Sequence, residues 1–301
     1  TLLHLNPEED RLWIAGLPRQ VPERSNDELV VRVPLYPYAA TVSGHIRRRD
    51  EAAASADLRM QATATTIRLT AVPRIPGLPV PEPPRRSAML SADNREEPLP
   101  LTASRPDAGA TGGASALTVV SADGVVRAEF RMEMPATEHW SDLIAAGDPL
   151  LDLVLYPDGT TPVRVYGWDQ FVPTWRDAAP LCFVQRGDRL ARASVSLYAY
   201  HDERYAGTGE RFLGADLSGR TLELVNVDAL GVNSARAYKN VPFVLSSRGY
   251  GLFVHGTWQG RYSFPDKGDD GDVSFYFYGL PLEVTVYTGG VRKAVEHHMM
   301  D

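Results

Sequence analysis

The sequence is poor in several things, and each shortage narrows what the chain can be. Of its 301 residues one is cysteine, Cys182, so no disulfide can close within the chain. The thiol reads as a small buried hydrophobe, and one free thiol suits a reducing cytoplasm, which is the expected compartment. No apolar run approaches the roughly 18 residues of a membrane-spanning helix. Thr1–Pro7 has neither the basic nor the apolar region of a leader, but the chain does not begin with Met, so secretion behind a removed leader stays open. Cations are outnumbered, Lys+Arg 31 against Asp+Glu 38, and the net charge of −7 argues against a nucleic-acid-binding face. Helical periodicity is scarce, which argues against a bundle or a strand–helix alternation.

What is present is turns and short strands. Gly 25 and Pro 23 punctuate a chain of ordinary apolar content, 44%. The dominant period is two. Val126, Ala128, Phe130, Met132 and Met134 fall on one face of Gly124–Met134, and Arg127, Glu129, Arg131 and Glu133 on the other. This half-buried strand pairs back to Leu117–Val120 across Ser121-Ala122-Asp123-Gly124. A second hairpin runs from Leu151–Tyr156 through Pro157-Asp158-Gly159 to Val163–Tyr166. Further strands are expected at Glu28–Val33, Thr65–Val72, Ala191–Tyr200, Thr221–Val225, Phe243–Ser246, Gly251–His255, Val273–Tyr278 and Leu282–Tyr287. The pattern predicts an all-β fold, a large antiparallel β-sandwich with a short C-terminal helix.

That helix is expected within Gly290–Asp301, where Val291, Ala294, Val295 and Met299 share a face, and a second short one at Glu138–Ala146. Pro73–Pro84 holds prolines at 73, 76, 79, 81, 83 and 84 and reads as an extended connection rather than a central strand. Ser104–Ala116, rich in Gly and Ala, reads as a loop. The Arg248-Gly249-Tyr250-Gly251 turn should join the two strands beside it, and Tyr238–Phe243 should be a turn entering a strand, with Pro242 at its first position.

Four blocks are more informative than the pattern. They are Tyr205-Ala206-Gly207-Thr208-Gly209-Glu210-Arg211-Phe212; Gly219–Ala229, with Asn226-Val227-Asp228-Ala229 at its end; Ala237-Tyr238-Lys239-Asn240-Val241-Pro242-Phe243; and Ser246–Val254. In this order and spacing they resemble the N-terminal, galactose mutarotase-like sandwich of glycoside hydrolase family 31, nearest in character to its α-xylosidase and α-glucosidase branch. The tail Val273–Asp301 fits the same resemblance, as a last sandwich strand and a helix entering a barrel. The resemblance implies residues 1–287 as the sandwich and 288–301 as a helix leading toward a (β/α)8 catalytic barrel outside this sequence.

It further implies a non-catalytic part of a retaining α-glycosidase, with α-linked oligosaccharides or glycosides and the enzyme's own barrel as partners. Retaining chemistry needs two carboxylates about 5 Å apart. In the family both lie in the barrel, so no catalytic residue is assigned here. The resemblance implies Asp228 and Asn226 as substrate-binding residues, with the Asp228 carboxylate reaching into the sugar pocket and accepting hydroxyl hydrogen bonds. From the residue alone, an Asx turn or solvated acid is the alternative. Where the family often has Trp before this Asn, the chain has Val225.

Other residues are weighed as follows. Gly207-Thr208-Gly209 reads as a flexible turn and not a phosphate loop, since Glu210 would repel phosphate. Glu210 and Arg211 suit charged hydrogen bonds. His297 and His298 diverge by about 100° on a helix, so no metal is expected there. Asp266, Asp269, Asp270 and Asp272, with Gly268 and Gly271, lack the ordered ligands of a calcium loop. No cofactor is expected. Trp140, Trp168, Trp175 and Trp258 suit packing more than sugar stacking. Two other functions stay open: a free-standing carbohydrate-binding module and an aldose epimerase-like enzyme, for which His139, His201 and His255 are the available bases. A homo-oligomer also stays open.

Overall fold

The computed structural model describes Asn6 and residues 9–18, 23–25, 28–40, 46–48, 53–82, 97–104, 115–131, 150–165, 180–227, 237, 239–266 and 271–300. Among the described residues are twenty strands and one helix. The strands are β1 (Asp10–Ala15), β2 (Glu23–Ser25), β3 (Glu28–Ala40), β4 (Ile46–Arg48), β5 (Ala54–Ala62), β6 (Thr66–Arg74), β7 (Leu101–Ser104), β8 (Ser115–Ser121), β9 (Arg127–Arg131) and β10 (Leu153–Tyr156). They continue with β11 (Val163–Val165), β12 (Leu181–Arg186), β13 (Arg189–Ala199), β14 (Tyr205–Gly209), β15 (Thr221–Leu224), β16 (Asn240–Ser246), β17 (Gly251–His255), β18 (Gly260–Ser263), β19 (Gly271–Phe277) and β20 (Leu282–Tyr287), and the helix is α1 (Val291–Met300).

The strands pair antiparallel. One layer runs β14–β16–β17–β20–β6–β5–β3. The chain of pairing then turns through β1 and β12 into β13. From β13 it continues to β19, β18 and β15, and also through β11 to β10, β9, β8 and β7. The layers face each other over the main core, and a second cluster of Leu12, Ile14, Tyr36, Tyr38, Cys182 and Val184 covers the other face of β1, β3 and β12. In β3, Leu29, Val31, Val33 and Leu35 turn inward while Val30, Arg32 and Pro34 alternate outward, as period two requires. Across the core stand Phe130, Leu153, Phe183, Leu197 and Phe275. The all-β sandwich with a short C-terminal helix is therefore the observed fold. Among the described residues no helix is long and apolar enough to cross a membrane.

Both expected hairpins form, β8–β9 and β10–β11. Several strands carried no alternation in sequence. β1 and β12 are buried on nearly every side chain, so they lack a polar face. In β5, alanine and serine hide the signal. Cys182 sits there in β12, fully buried, and burial pushes its thiol up to about 12. Pro73 belongs to β6 rather than to a connection: it lies opposite Ala56 of β5, while β20 accompanies β6 only as far as Ala71. A strand position flanked on one side tolerates proline. Ser104 and Ser115 likewise end and begin strands. Glu138–Ala146 lies outside the described residues.

Candidate functional site

The four sequence blocks converge on the β14–β16–β17 edge, where glycine sets the geometry. Gly207, Thr208 and Gly209 hold φ of +118°, +68° and +93° in succession, and the register of β14 against β16 shifts between the two glycines. A Cβ on Gly207 would enter the Phe243 carbonyl, and one on Gly209 would enter the Lys239 carbonyl and lie 2.7 Å from the Val241 nitrogen. The segment is thus a bulged strand pressed against β16, not a flexible turn. Pro242 is third in β16 rather than first, next to that irregularity.

Beyond the bulge the backbone returns to the same partner, with the Glu210 amide donating to the Lys239 carbonyl at 3.1 Å. The Glu210 carboxylate pairs with Lys239 at 3.1 Å on the exposed surface. Arg211 reaches inward instead. Its guanidinium donates to the Glu223 carbonyl at 2.7 Å and to the Asn240 carboxamide oxygen, and burial lowers its pKa from the usual value. Asn240 is the hub. The two hydrogens of its carboxamide nitrogen are shared among three acceptors, the Val225 carbonyl at 2.9 Å, the Asn226 carboxamide oxygen at 2.7 Å and the Ala237 carbonyl at 3.0 Å. The Asn240 amide also donates to Asn226, at 3.2 Å, and the Val227 amide donates to Ala237 at 3.1 Å.

Residues 225–227 are therefore clamped to Ala237 and Asn240, at the two ends of residues 228–236. Asn226 commits its side-chain oxygen to this neck. Asp228 lies outside the described residues. The sequence blocks pointed to Asn226 but gave no sign of Asn240 as its partner, 14 positions away.

The block Ser246–Val254 forms a second polar node, and the expected hairpin turn is there. The buried Glu203 carboxylate accepts hydrogen bonds from the Ser246 hydroxyl, the Tyr250 hydroxyl at 2.8 Å and the Tyr200 amide at 3.2 Å. Arg248 approaches Glu203 at 3.9 Å, pairs with Asp202 at 2.9 Å and lies 3.8 Å over the Tyr200 ring. Burial, and then the Glu203 charge, push the Tyr250 phenol well above its ordinary value. This node locks the β16–β17 hairpin to the turn before β14.

Helix α1 closes the outer face of the same sheet. Ala294 packs on Phe243 and Tyr287, and a Cβ on Gly251 would lie 3.1 Å from the Ala294 methyl. His298 stacks on Phe243 at 4.1 Å, while His297 meets the Thr65 hydroxyl at 3.2 Å. The two imidazoles face different partners, and among the described residues no cluster of His, Cys, Asp and Glu suits a metal. Asp269, Asp270 and Gly268 lie outside the described residues, as do His139, Trp140, Trp168 and Trp175. Gly271 opens β19 instead of ending a loop.

His255 does find an acid. Its Nδ1 is 3.7 Å from Glu283, directly opposite in the β17–β20 register, and its Nε2 is 2.7 Å from the Thr285 hydroxyl. Arg68 also approaches Glu283, at 3.3 Å. Both ring nitrogens are thus engaged within the sheet, a packing network rather than an open acid/base pair. His201 stands in the turn after β13.

The fold is a large antiparallel sandwich in which Asn240 ties residues 225–226 and Ala237 together beside one sheet edge. Residues 62–262 match the family described as the Glycosyl hydrolase 31 N-terminal galactose mutarotase-like domain, and the chain belongs to that family. Over 97 residues, 32% of this chain and 12% of the relative, it is 39% identical to alpha-xylosidase XylQ of Lactiplantibacillus pentosus. Over 90 residues, 30% of this chain and 11% of the relative, it is 34% identical to an alpha-xylosidase of Emericella nidulans. Among solved structures it resembles the cycloalternan-forming enzyme of Listeria monocytogenes, with TM-score 0.59 and 14% identity over 93% of this chain and 21% of that one. It also resembles a family 31 alpha-xylosidase from a soil metagenome, with TM-score 0.52 and 16% identity over 90% of this chain and 32% of that one. The sequence thus spans a minor part of each of these proteins.

Proposed function

We propose that this chain is the non-catalytic N-terminal sandwich of a retaining α-glycosidase of α-xylosidase or α-glucosidase type. It braces a (β/α)8 barrel, toward which residues 288–301 lead, and lends the segment after Val227 to the barrel's sugar pocket. Asp228 accepts hydrogen bonds from a sugar hydroxyl, and Asn226 holds the base of the segment. The catalytic carboxylate pair belongs to the barrel. The substrate is an α-linked oligosaccharide or glycoside, and the compartment is the cytoplasm.

The observation that carries this reading is the Arg211–Asn240–Asn226 clamp. The Asn240 carboxamide ties Val225 and Asn226 to Ala237, the residues that flank 228–236 on either side, and Arg211 braces Asn240. Such pre-organisation serves a group that must meet a ligand at a set position. The family membership supplies the chemistry.

The test is Asp228→Ala in the intact enzyme, barrel included. Loss of a charged acceptor from a desolvated site is worth about 1.5–3 kcal/mol, roughly tenfold to a hundredfold in kcat/KM. The melting temperature should hold. Unchanged kinetics with a large fall in melting temperature would make Asp228 a structural turn acid and end the assignment.

A further inference from the structure

Two connections run side by side next to the clamp. One joins β17 to β18 (Gly256–Gln259) and the other joins β19 to β20 (Tyr278–Pro281), and the Tyr278 amide donates to the Gln259 carbonyl at 3.0 Å. Pairing of Leu224 with Gly260 sets them at the strand end where Val225 begins the clamped segment.

Trp258 lies across the second connection. A Cβ on Gly279 would fall inside the indole at Cγ, Cδ2 and Cε2, and one on Gly256 would lie 2.5 Å from Cδ1 and 2.8 Å from Nε1. The centre of one indole face thus rests on the Gly279 backbone, and the pyrrole edge abuts Gly256. Only glycine allows either approach. The ring is seated, yet Trp258 is 48% exposed, so the face turned away from Gly279 meets solvent. Tyr278 beside it is 51% exposed. Its ring packs edge-to-face on Tyr276 at 5.6 Å, and the Arg192 guanidinium is 5.9 Å from its centroid.

We propose that Trp258 and Tyr278 form a carbohydrate-stacking platform that takes a pyranose ring from the outer part of an oligosaccharide. A pyranose has an apolar face of C–H groups and a rim of hydroxyls. The open indole face matches the first. Exposed Thr257 and Gln259, on either side of Trp258 in the chain, and the half-exposed Tyr278 carry donors and acceptors that suit the second. A ring already fixed by two glycines loses little freedom when a ligand stacks on it. A patch of two rings is smaller than the apolar centre of a stable protein interface, which disfavours a protein occupant. The choice of a sugar rests on the function proposed above; the geometry of the platform does not involve Asp228.

The experiment is a titration of this 301-residue chain with maltopentaose, followed by tryptophan fluorescence and by calorimetry. The expected result is saturable binding, about millimolar as befits one or two stacked rings. Trp258→Ala should weaken it about tenfold or more. Gly279→Ala, which keeps the indole but unseats it, should weaken it similarly in calorimetry. Met299→Ala removes another exposed apolar side chain, on α1, and should change nothing. Unchanged melting temperatures will show that the variants fold. No saturable binding in the wild type, or binding equal in Trp258→Ala, overturns the platform. Either result leaves the kinetic test of Asp228 to decide the proposed function on its own. Binding of a protein but not of sugar at Trp258 overturns it as well.

Discussion

Glu203 and Tyr250 meet inside the protein, the phenol donating to the carboxylate at 2.8 Å across 47 positions of sequence. Both residues lie in or beside the blocks that mark the family. Their contact explains why: the blocks that identify the chain are largely those that hold the β14–β16–β17 edge in shape.

Removing Glu203 should therefore be costly. Glu203→Ala leaves the Ser246 and Tyr250 hydroxyls without their acceptor and Arg248 without one of its two carboxylates, at a cost of about 3–5 kcal/mol. Tyr250→Phe removes the bond to Glu203 but keeps the carboxylate, and should cost about 1–2 kcal/mol. Urea denaturation measures both. A Glu203→Ala midpoint equal to wild type would show that the node adds nothing.

Gly209 and Gly77 share a positive φ, +93° and +81°, but differ in surroundings. Nothing stands within 4 Å of a Cβ on Gly77, whereas one on Gly209 would strike the backbone of Lys239 and Val241. Gly77→Ala should cost about 1 kcal/mol, from the left-handed conformation alone. Gly209→Ala should cost about 3 kcal/mol or more, because β16 must also move. Equal losses in thermal unfolding would contradict the close approach.

Asn240→Ala breaks the clamp on both sides. The Val225 and Ala237 carbonyls and the Asn226 oxygen lose a donor, and about 2–3 kcal/mol of local stability should go with them. Hydrogen exchange at the Val227 and Glu210 amides should accelerate, while amides of β5 and β6 keep their protection. Uniform acceleration across the sandwich would mean that the clamp is part of the global fold and not a local device.

Asp57 sets an acid limit. Burial alone would raise its pKa, but hydrogen bonds from Arg32 at 2.8 Å and Arg74 at 2.6 Å more than offset this and hold it below the usual carboxylate range. A folded-state value below the unfolded one stabilises the fold above the unfolded pKa of about 3.9 and is lost as pH falls through the folded value. Stability in urea should thus decline from about pH 5 downward, and Asp57→Asn should flatten that decline while lowering stability at neutral pH. An unchanged acid limb in the variant would assign the loss to other carboxylates, such as Asp10 beside Arg186.

Period-two patterning exposed the strands that bury one face, such as β9, but not β1 or β12, whose neighbours cover both faces. Gly207-Thr208-Gly209 looked like a turn because glycine in sequence marks conformational freedom. Here it marks close contact, and only the facing carbonyls of β16 distinguish the two. Asn226 was legible as a site residue, yet its partner Asn240 was not, since a single carboxamide in a loop has no periodic signature. Trp258 was expected to pack rather than to stack on sugar, and its seat on Gly279, 21 positions away, could not be foreseen from the neighbouring Gly256 alone.

Local chemistry was enough to determine that the chain is a β-sandwich, where its tight turns fall, and which family its blocks resemble. Alternation, turn residues and motif spacing are properties of short stretches, and they act before any long-range contact forms. The tertiary structure alone decided which carbonyl each glycine admits, that Asn240 clamps the segment bearing Asp228 at both ends, and that one face of Trp258 stays open. Each of these depends on strand register between distant segments, and register is set by the shared core rather than by any one segment's sequence.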